Sequence, residues 1–312
     1  MIVTVTPNPV LDRTLTVAEI VVNEMTRALE VREDWGGKGF NVSRALKALG
    51  TESLAMGFAG GTTGAKLEAG LRGLGIATDL VPIAGETRTN IVITDRNGTQ
   101  YVKVNEPGPT VSATELAAFY ARVAAVVRPG DLWALCGSLP PGLPVDFYAQ
   151  LIHTLHGHGA RVLLDTSGEP LQLGLAACPY AAKPNLPEVE AWLGRSLADS
   201  VAIAEAVDNL LELGISLVAL SLGADGLMFA TRAIQVWIKP PQVAALNPVG
   251  AGDALVAGLL WALSEGLPPV EVAAWGVAAG TAAAMREGVS VGTQAEVKAI
   301  YNQVTRLPWP GG

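Results

Sequence analysis

The chain has 312 residues, 50% of them hydrophobic and only 16% charged, with 21 Lys+Arg against 29 Asp+Glu for a net charge of −8. That apolar content excludes an intrinsically disordered chain, and the acidic balance argues against a nucleic-acid surface, which needs a basic excess to neutralise phosphates. At about 150 residues per domain, the length allows one large or two smaller domains, and either can bury a sizeable core.

In chain order, residues 2–6 read as a strand ahead of Pro7-Asn8-Pro9, with no basic n-region or cleavage-like site, so no targeting segment is expected. Residues 14–22 and 28–34 are strand-like with no helix between them. Residues 41–49 carry a helical stripe (Val42, Ala45, Leu46, Leu49), with Gly50 placed as a stop. A strand over 54–58 and a helix over 65–74 follow. Residues 89–95 and 99–105 are β-patterned and joined by Asn97-Gly98, where both positions tolerate positive φ, so a tight hairpin is expected. The rest alternates: strand 132–136, helix 145–156, strand 161–165, helices 187–193 and 201–213, strand 217–221, helices 251–264 and 270–285.

Alternating β and α units predict an α/β fold with a mostly parallel sheet covered by helices on both faces. The unhelical segments, 12–35 and 87–106, predict a small β-sheet lid inserted twice into a main domain of residues 1–11, 36–86 and 107–312. Such a sheet has an open face and should close over a ligand, a partner subunit, or both. The apolar runs at 254–263 and 273–285 are too short for the ~18–20 residues a bilayer requires, so no membrane span is expected. Cys136 and Cys178 are far apart; neither a metal cluster nor a disulfide framework is expected, and a reducing cytoplasm is the default. His153, His156 and His158 sit at a helix end before Gly159 and read as a solvated terminus.

Four segments carry chemistry. Asn247-Pro248-Val249-Gly250-Ala251-Gly252-Asp253 runs straight into an apolar helix. Its glycines let a ligand approach the backbone, and the unpaired first-turn N–H groups favour an anion. An aspartate there would repel a phosphate, but it makes sense as the acceptor of a proton from a hydroxyl attacking that phosphate; a plain helix cap is the alternative. Gly36-Gly37-Lys38-Gly39 is a flexible, electropositive helix start that lacks the Walker pattern; it suits sugar oxygens or phosphate, or is a simple turn. In Lys183-Pro184-Asn185-Leu186-Pro187-Glu188, Asn185 and Glu188 have capping-box spacing, and Glu188 could equally organise a Mg²⁺ water shell. Ser221-Leu222-Gly223-Ala224-Asp225-Gly226 turns one strand into the next, either as an ordinary turn or lining a nucleotide pocket at the carboxyl edge of the sheet.

In that order, and with Gly57-Phe58-Ala59-Gly60-Gly61-Thr62-Thr63-Gly64 and the run from Asn247 to Gly258, the chain resembles the ribokinase-like, PfkB-type sugar kinases over nearly its whole length. The resemblance implies ATP and Mg²⁺ as cofactors, with Asp253 the catalytic base and the amides of Gly250, Ala251 and Gly252 the anion hole. It implies that Asn185 and Glu188 act on Mg²⁺ and phosphate, with Glu188 reaching the metal through water. Lys183, Ser221, Gly223 and Gly226 would lie around ATP, and Asp12, Gly37, Lys38 and Asn41 would hold the acceptor. The lid would also support a homodimer.

Thr6-Pro7-Asn8-Pro9, Gly36-Gly37-Lys38-Gly39 and Asn105-Glu106-Pro107-Gly108-Pro109 resemble the hexose-phosphate branch most closely. An acceptor that already bears a dianion needs cations, and Lys38, Arg88 and Arg27 are available; a guanidinium suits bidentate phosphate binding. Cys136-Gly137-Ser138-Leu139-Pro140 has Cys where the branch has Ser but keeps Ser138 as a contact to the sugar or its phosphate. The expected reaction is transfer of the ATP γ-phosphoryl group to a ketohexose phosphate, with fructose 1-phosphate ahead of tagatose 6-phosphate and fructose 6-phosphate.

Overall fold

A computed structural model describes every residue except Pro248, Glu287, Val289, Gly311 and Gly312; Pro248 of the glycine-rich stretch thus lies outside the described residues. The strands are β1 (Ile2–Thr6), β2 (Val10–Val17), β3 (Ala28–Gly36), β4 (Leu54–Gly60), β5 (Ala77–Ile83), β6 (Arg88–Asp95), β7 (Tyr101–Val104), β8 (Leu132–Cys136), β9 (Arg161–Asp165), β10 (Ala181–Ala182), β11 (Leu217–Ser221), β12 (Leu227–Thr231), β13 (Ile234–Lys239) and β14 (Thr305–Pro308). The helices are α1 (Lys38–Ala48), α2 (Gly61–Gly73), α3 (Ala113–Val126), α4 (Phe147–Gly157), α5 (Gly168–Ala176), α6 (Leu186–Leu193), α7 (Ser200–Glu212), α8 (Ala251–Ser264), α9 (Pro269–Ala284) and α10 (Gln294–Tyr301).

Ten strands form the main sheet in the order β14-β13-β12-β11-β10-β9-β8-β1-β4-β5. From β5 to β11 neighbours are parallel, and β12, β13 and β14 close one edge antiparallel. The parallel strands are apolar on both sides because helices cover both faces. One core gathers Phe58, Phe119, Phe147 and Tyr148; a second packs α8 and α9 over Leu132, Ala134 and Leu217; a third, smaller one gathers Phe40, Leu67 and Leu71. Each fully buried Leu or Phe contributes about 1.5–3 kcal/mol. Chain order runs outward from β1 through β4 to β5 on one side and from β8 through β9 to β11 on the other. The order therefore reverses between β1 and β8, the crevice where open α/β sheets bind ligands beyond their carboxyl ends.

The second sheet has the order β3-β2-β6-β7, with both hairpins antiparallel and β2 parallel to β6. Register gives it two unlike faces. Asp34, Asp12 and Asn90 align in one row, whereas Val31, Leu15, Ile93 and Val102 align on the opposite face. The hairpin expected at Asn97-Gly98 joins β6 to β7. Only Gly98 is left-handed (φ 68°), not Asn97, because the Asp95 carboxylate closes a longer loop by accepting the Thr99 hydroxyl (2.8 Å) and the Gln100 N–H (2.8 Å). Helices α3, α5 and α10 and the β12–β13 hairpin are not among the elements expected from the sequence. No described helix is long and apolar enough to cross a membrane. Cys136 and Cys178 are free thiols, and no group of three His, Cys, Asp or Glu side chains among the described residues could hold a metal.

Candidate active site

The residues singled out in the sequence meet around the crevice, and α8 supplies the centre. Gly250 caps it in the left-handed region (φ 83°), a conformation a residue with a Cβ adopts only with strain. The amides of Ala251 and Gly252 lie in the first helical turn, where no intrahelical acceptor exists. Asp253 follows, only 6% exposed. Its carboxylate does not cap the helix, which has no side-chain cap. Instead it accepts the Asn41 amide N–H at 2.8 Å and faces the Lys38 ammonium at 3.5 Å, both from α1. Burial raises the Asp253 pKa above the usual carboxylate range, with Lys38 and Asn41 opposing and Asp165 reinforcing the rise.

Asp165, which ends β9 and is 1% exposed, was not singled out in the sequence. Its Oδ2 lies 2.9 Å from Lys38 Nζ and its Oδ1 3.3 Å from Lys183 Nζ. Burial disfavours its charge, but Lys183 and Lys38 together outweigh burial and hold its pKa below the ordinary value. Burial likewise acts against the charge on Lys38, and Asp165 and Asp253 overcome it, raising the lysine pKa. Two carboxylates and two ammonium groups thus form a neutral cluster. Lys183 reaches towards the α8 loop: a Cβ on Gly252 would stand 3.8 Å from its Nζ. The available signal was a lone charge closing the apolar run Val162-Leu163-Leu164 at a carboxyl strand end.

On the acceptor side, Gly37 opens α1 at φ 123° and brings Lys38 beneath Asp165. Asp12, on β2, accepts the Asn90 amide N–H at 2.9 Å. Burial raises its pKa, and the Asn90 bond opposes this. Arg88 spends its two terminal nitrogens on the Glu106 and Asn8 carbonyls, each at 3.0 Å. Lys38, already engaged by two carboxylates, is likewise no free cation. Ser138 is exposed and 3.4 Å from the Asn8 amide nitrogen; the structure gives Arg27 no ion pair among the described residues. Thr6 Oγ1, Asn8 Oδ1, Asn41 Oδ1, Arg88 Nε and Asn90 Oδ1 are buried without protein partners.

On the nucleotide side, Ser221 ends β11 and bridges to Asn185. Gly223 (φ 62°) and Gly226 (φ 94°) shape the turn into β12. Beyond them lies a largely apolar cleft of about 720 Å³, lined by Ala224, Val243, Leu255, Val277 and Thr281 and reaching Ser221 and Gly252. Asn185 and Glu188 form a capping box on α6: Asn185 Oδ1 accepts the Glu188 N–H and Glu188 Oε2 accepts the Asn185 N–H, both at 2.9 Å. Glu188 Oε1 has no hydrogen bond among the described residues, and burial raises the carboxyl pKa. A single half-buried carboxylate with a free oxygen fits Mg²⁺, which prefers oxygen ligands and keeps several waters.

The PfkB family carbohydrate kinase model matches residues 6–296. The chain belongs to that family. It is 40% identical over 273 residues to the 1-phosphofructokinase of Xanthomonas campestris pv. campestris, covering 86% of each protein. It is 35% identical over 312 residues to the 1-phosphofructokinase of Bacillus subtilis, covering 98% of this chain and 100% of that one. Among solved structures, phosphofructokinase-2 from Escherichia coli in complex with potassium superposes with a TM-score of 0.93 at 29% identity, covering 97% and 98% of the two chains. This family member is therefore an ATP-dependent sugar-phosphate kinase.

Proposed function

We propose that the chain transfers the γ-phosphoryl group of ATP to the free primary hydroxyl of fructose 1-phosphate, giving fructose 1,6-bisphosphate and ADP. The observation that carries the reading is the Asp253 carboxylate, buried and held by Asn41 at 2.8 Å, directly beside the open first-turn amides of α8. The curated relatives named 1-phosphofructokinase support the choice of acceptor.

Asp253 takes the proton from the attacking hydroxyl as the new O–P bond forms and the bond to the departing ADP oxygen breaks. Its raised pKa strengthens it as a base. The N–H groups of Gly250, Ala251 and Gly252 stabilise charge on the transferring group, and Lys183 adds a cation on the nucleotide side. Bound Mg²⁺ neutralises phosphate oxygens, and Glu188, with Asn185 beside it, would hold the ion through water. Ser221, Gly223 and Gly226 border the nucleotide, with the apolar cleft taking the base. Asp12, Gly37, Asn41 and Ser138 hold the acceptor's hydroxyls, while Lys38, still held by Asp165, and Arg88, once the ligand competes for its carbonyl partners, meet the resident phosphate.

The sheet formed by residues 12–35 and 87–106 acts as a lid over the main domain of residues 1–11, 36–86 and 107–312. Its polar row of Asp34, Asp12 and Asn90 faces the acceptor, and its opposite row leaves Val31 and Val102 exposed (48% and 47%), which supports a homodimer formed through the lid. Free thiols and use of ATP suit a cytoplasmic enzyme. A coupled assay of ADP release with fructose 1-phosphate, tagatose 6-phosphate, fructose 6-phosphate and ribose tests the reading. The highest kcat/KM is expected with fructose 1-phosphate; equal or better turnover of another acceptor would overturn it.

A further inference from the structure

We propose that Asp165 is a positioning residue for phosphoryl transfer: its buried carboxylate fixes the ammonium groups of Lys38 and Lys183 relative to each other and to Asp253. The proposal rests on the functional reading above and adds a residue to it. Lys38 comes from α1 on the acceptor side, and Lys183 follows β10 on the nucleotide side. Their elements are separated by β8 and β9, yet both nitrogens converge on the two oxygens of one side chain, at 2.9 and 3.3 Å. The backbone holds that side chain firmly: the Asp165 carbonyl accepts the Gly137 N–H at 3.0 Å, and the neighbouring Leu164 carbonyl accepts the Lys183 N–H at 3.0 Å.

The charge arithmetic explains why the carboxylate must be present. Without it, Lys183, only 4% exposed, would have no carboxylate partner among the described residues, and an isolated buried charge is strongly disfavoured. Lys38, now 3.5 Å from Asp253 and 2.9 Å from Asp165, would then collapse onto Asp253. A base in a close ion pair is a weaker base. Asp165 therefore draws Lys38 away from Asp253 and keeps the base reactive. The groups whose charges act on Asp253 are Lys38 with the dipolar Asn41 from α1, Asp165 from β9 and Lys183 after β10; the Cys136 thiol, at the end of β8, is kept neutral by burial.

The test compares wild type, Asp165→Asn and Asp165→Glu in the coupled assay with fructose 1-phosphate and MgATP, recording kcat, both KM values and the pH profile of kcat/KM. Asp165→Asn should lose at least about tenfold in kcat and shift the acid limb to lower pH, because the anion that raises the Asp253 pKa is gone. Asp165→Glu should restore the limb while recovering only part of kcat, since the charge returns with its oxygens displaced. A residue that merely stabilises the fold would lower activity without moving the limb. An unmoved limb in Asp165→Asn, or turnover within threefold of wild type, overturns the proposal. Should that variant fail to fold, the charge-balanced pair Asp165→Asn with Lys183→Gln keeps the direction with a smaller shift, because Asp165 acts on Asp253 more strongly than the Lys183 cation whose loss opposes it; an unmoved limb there also overturns the proposal. A wild type inactive on every sugar phosphate would instead count against the functional reading.

Discussion

Replacing Asp253 by Asn separates catalysis from stability, and the structure sets both magnitudes. Asparagine keeps the volume and an oxygen able to accept the Asn41 N–H, now at 2.8 Å. Lys38 keeps its closer partner, Asp165, at 2.9 Å, so no cation is orphaned. What disappears is the proton acceptor, and loss of a general base costs about 10²–10⁴-fold in rate, or about 2.7–5.4 kcal/mol of barrier. Stability should move the other way. A carboxyl whose pKa is raised by folding binds its proton more tightly folded than unfolded, so its charged form opposes folding once the pH exceeds the folded pKa. At neutral pH the amide removes that opposition. Steady-state kinetics with fructose 1-phosphate should show the fall in kcat with both KM values within a few-fold. Thermal melting should show a Tm unchanged or higher. Near-normal turnover would remove Asp253 as the base, and a large fall in Tm would make its carboxylate structural.

Arg88→Ala should raise KM for fructose 1-phosphate about ten- to hundredfold, the worth of a charge-assisted hydrogen bond, while KM for fructose hardly changes; equal effects on both sugars would place Arg88 outside phosphate recognition. Glu188→Gln keeps an oxygen for the Asn185 N–H and so keeps the α6 capping box. Titrating free Mg²⁺ should show a several-fold higher requirement for half-maximal rate, and an unchanged curve would leave Glu188 as a cap alone. The wild-type acid limb of kcat/KM, measured beside the acceptor's own phosphate ionisation, should lie above the ordinary aspartate value of about 3.9, because burial raises the Asp253 pKa and its charged form is the active one. A limb at or below the ordinary value would contradict that environment.

The fold was legible wherever local pattern and burial agree. The strands over 132–136, 161–165 and 217–221 and the helix over 251–264 fall as read, since apolar runs bounded by polar or glycine residues leave few other structures. The hairpin at Asn97-Gly98 forms as expected, but Asp95, a residue inside the preceding strand, closes its loop with its side chain, a contact no dipeptide rule includes. Helix α3 was missed although Ser112 and Glu115 form a capping box; its faces carry many alanines, which blur the apolar stripe. The site divides in the same way. Glycine loops, Asp253 and the Asn185–Glu188 spacing are local and were visible. The coupling of positions 38, 165, 183 and 253 is not local. Asp165 and Lys183 come from the carboxyl ends of the neighbouring parallel strands β9 and β10, and the starts of α1 and α8 bring Lys38 and Asp253 to that edge from the second sheet and from the antiparallel strands. A lone aspartate at the end of an apolar strand signals that edge, but its two lysine partners are known only once the strand order is. Charge balance ties the grouping together: without Asp165, the buried Lys183 ammonium has no carboxylate partner among the described residues. The sequence could supply the members of that cluster, whereas only the topology could supply its neutrality.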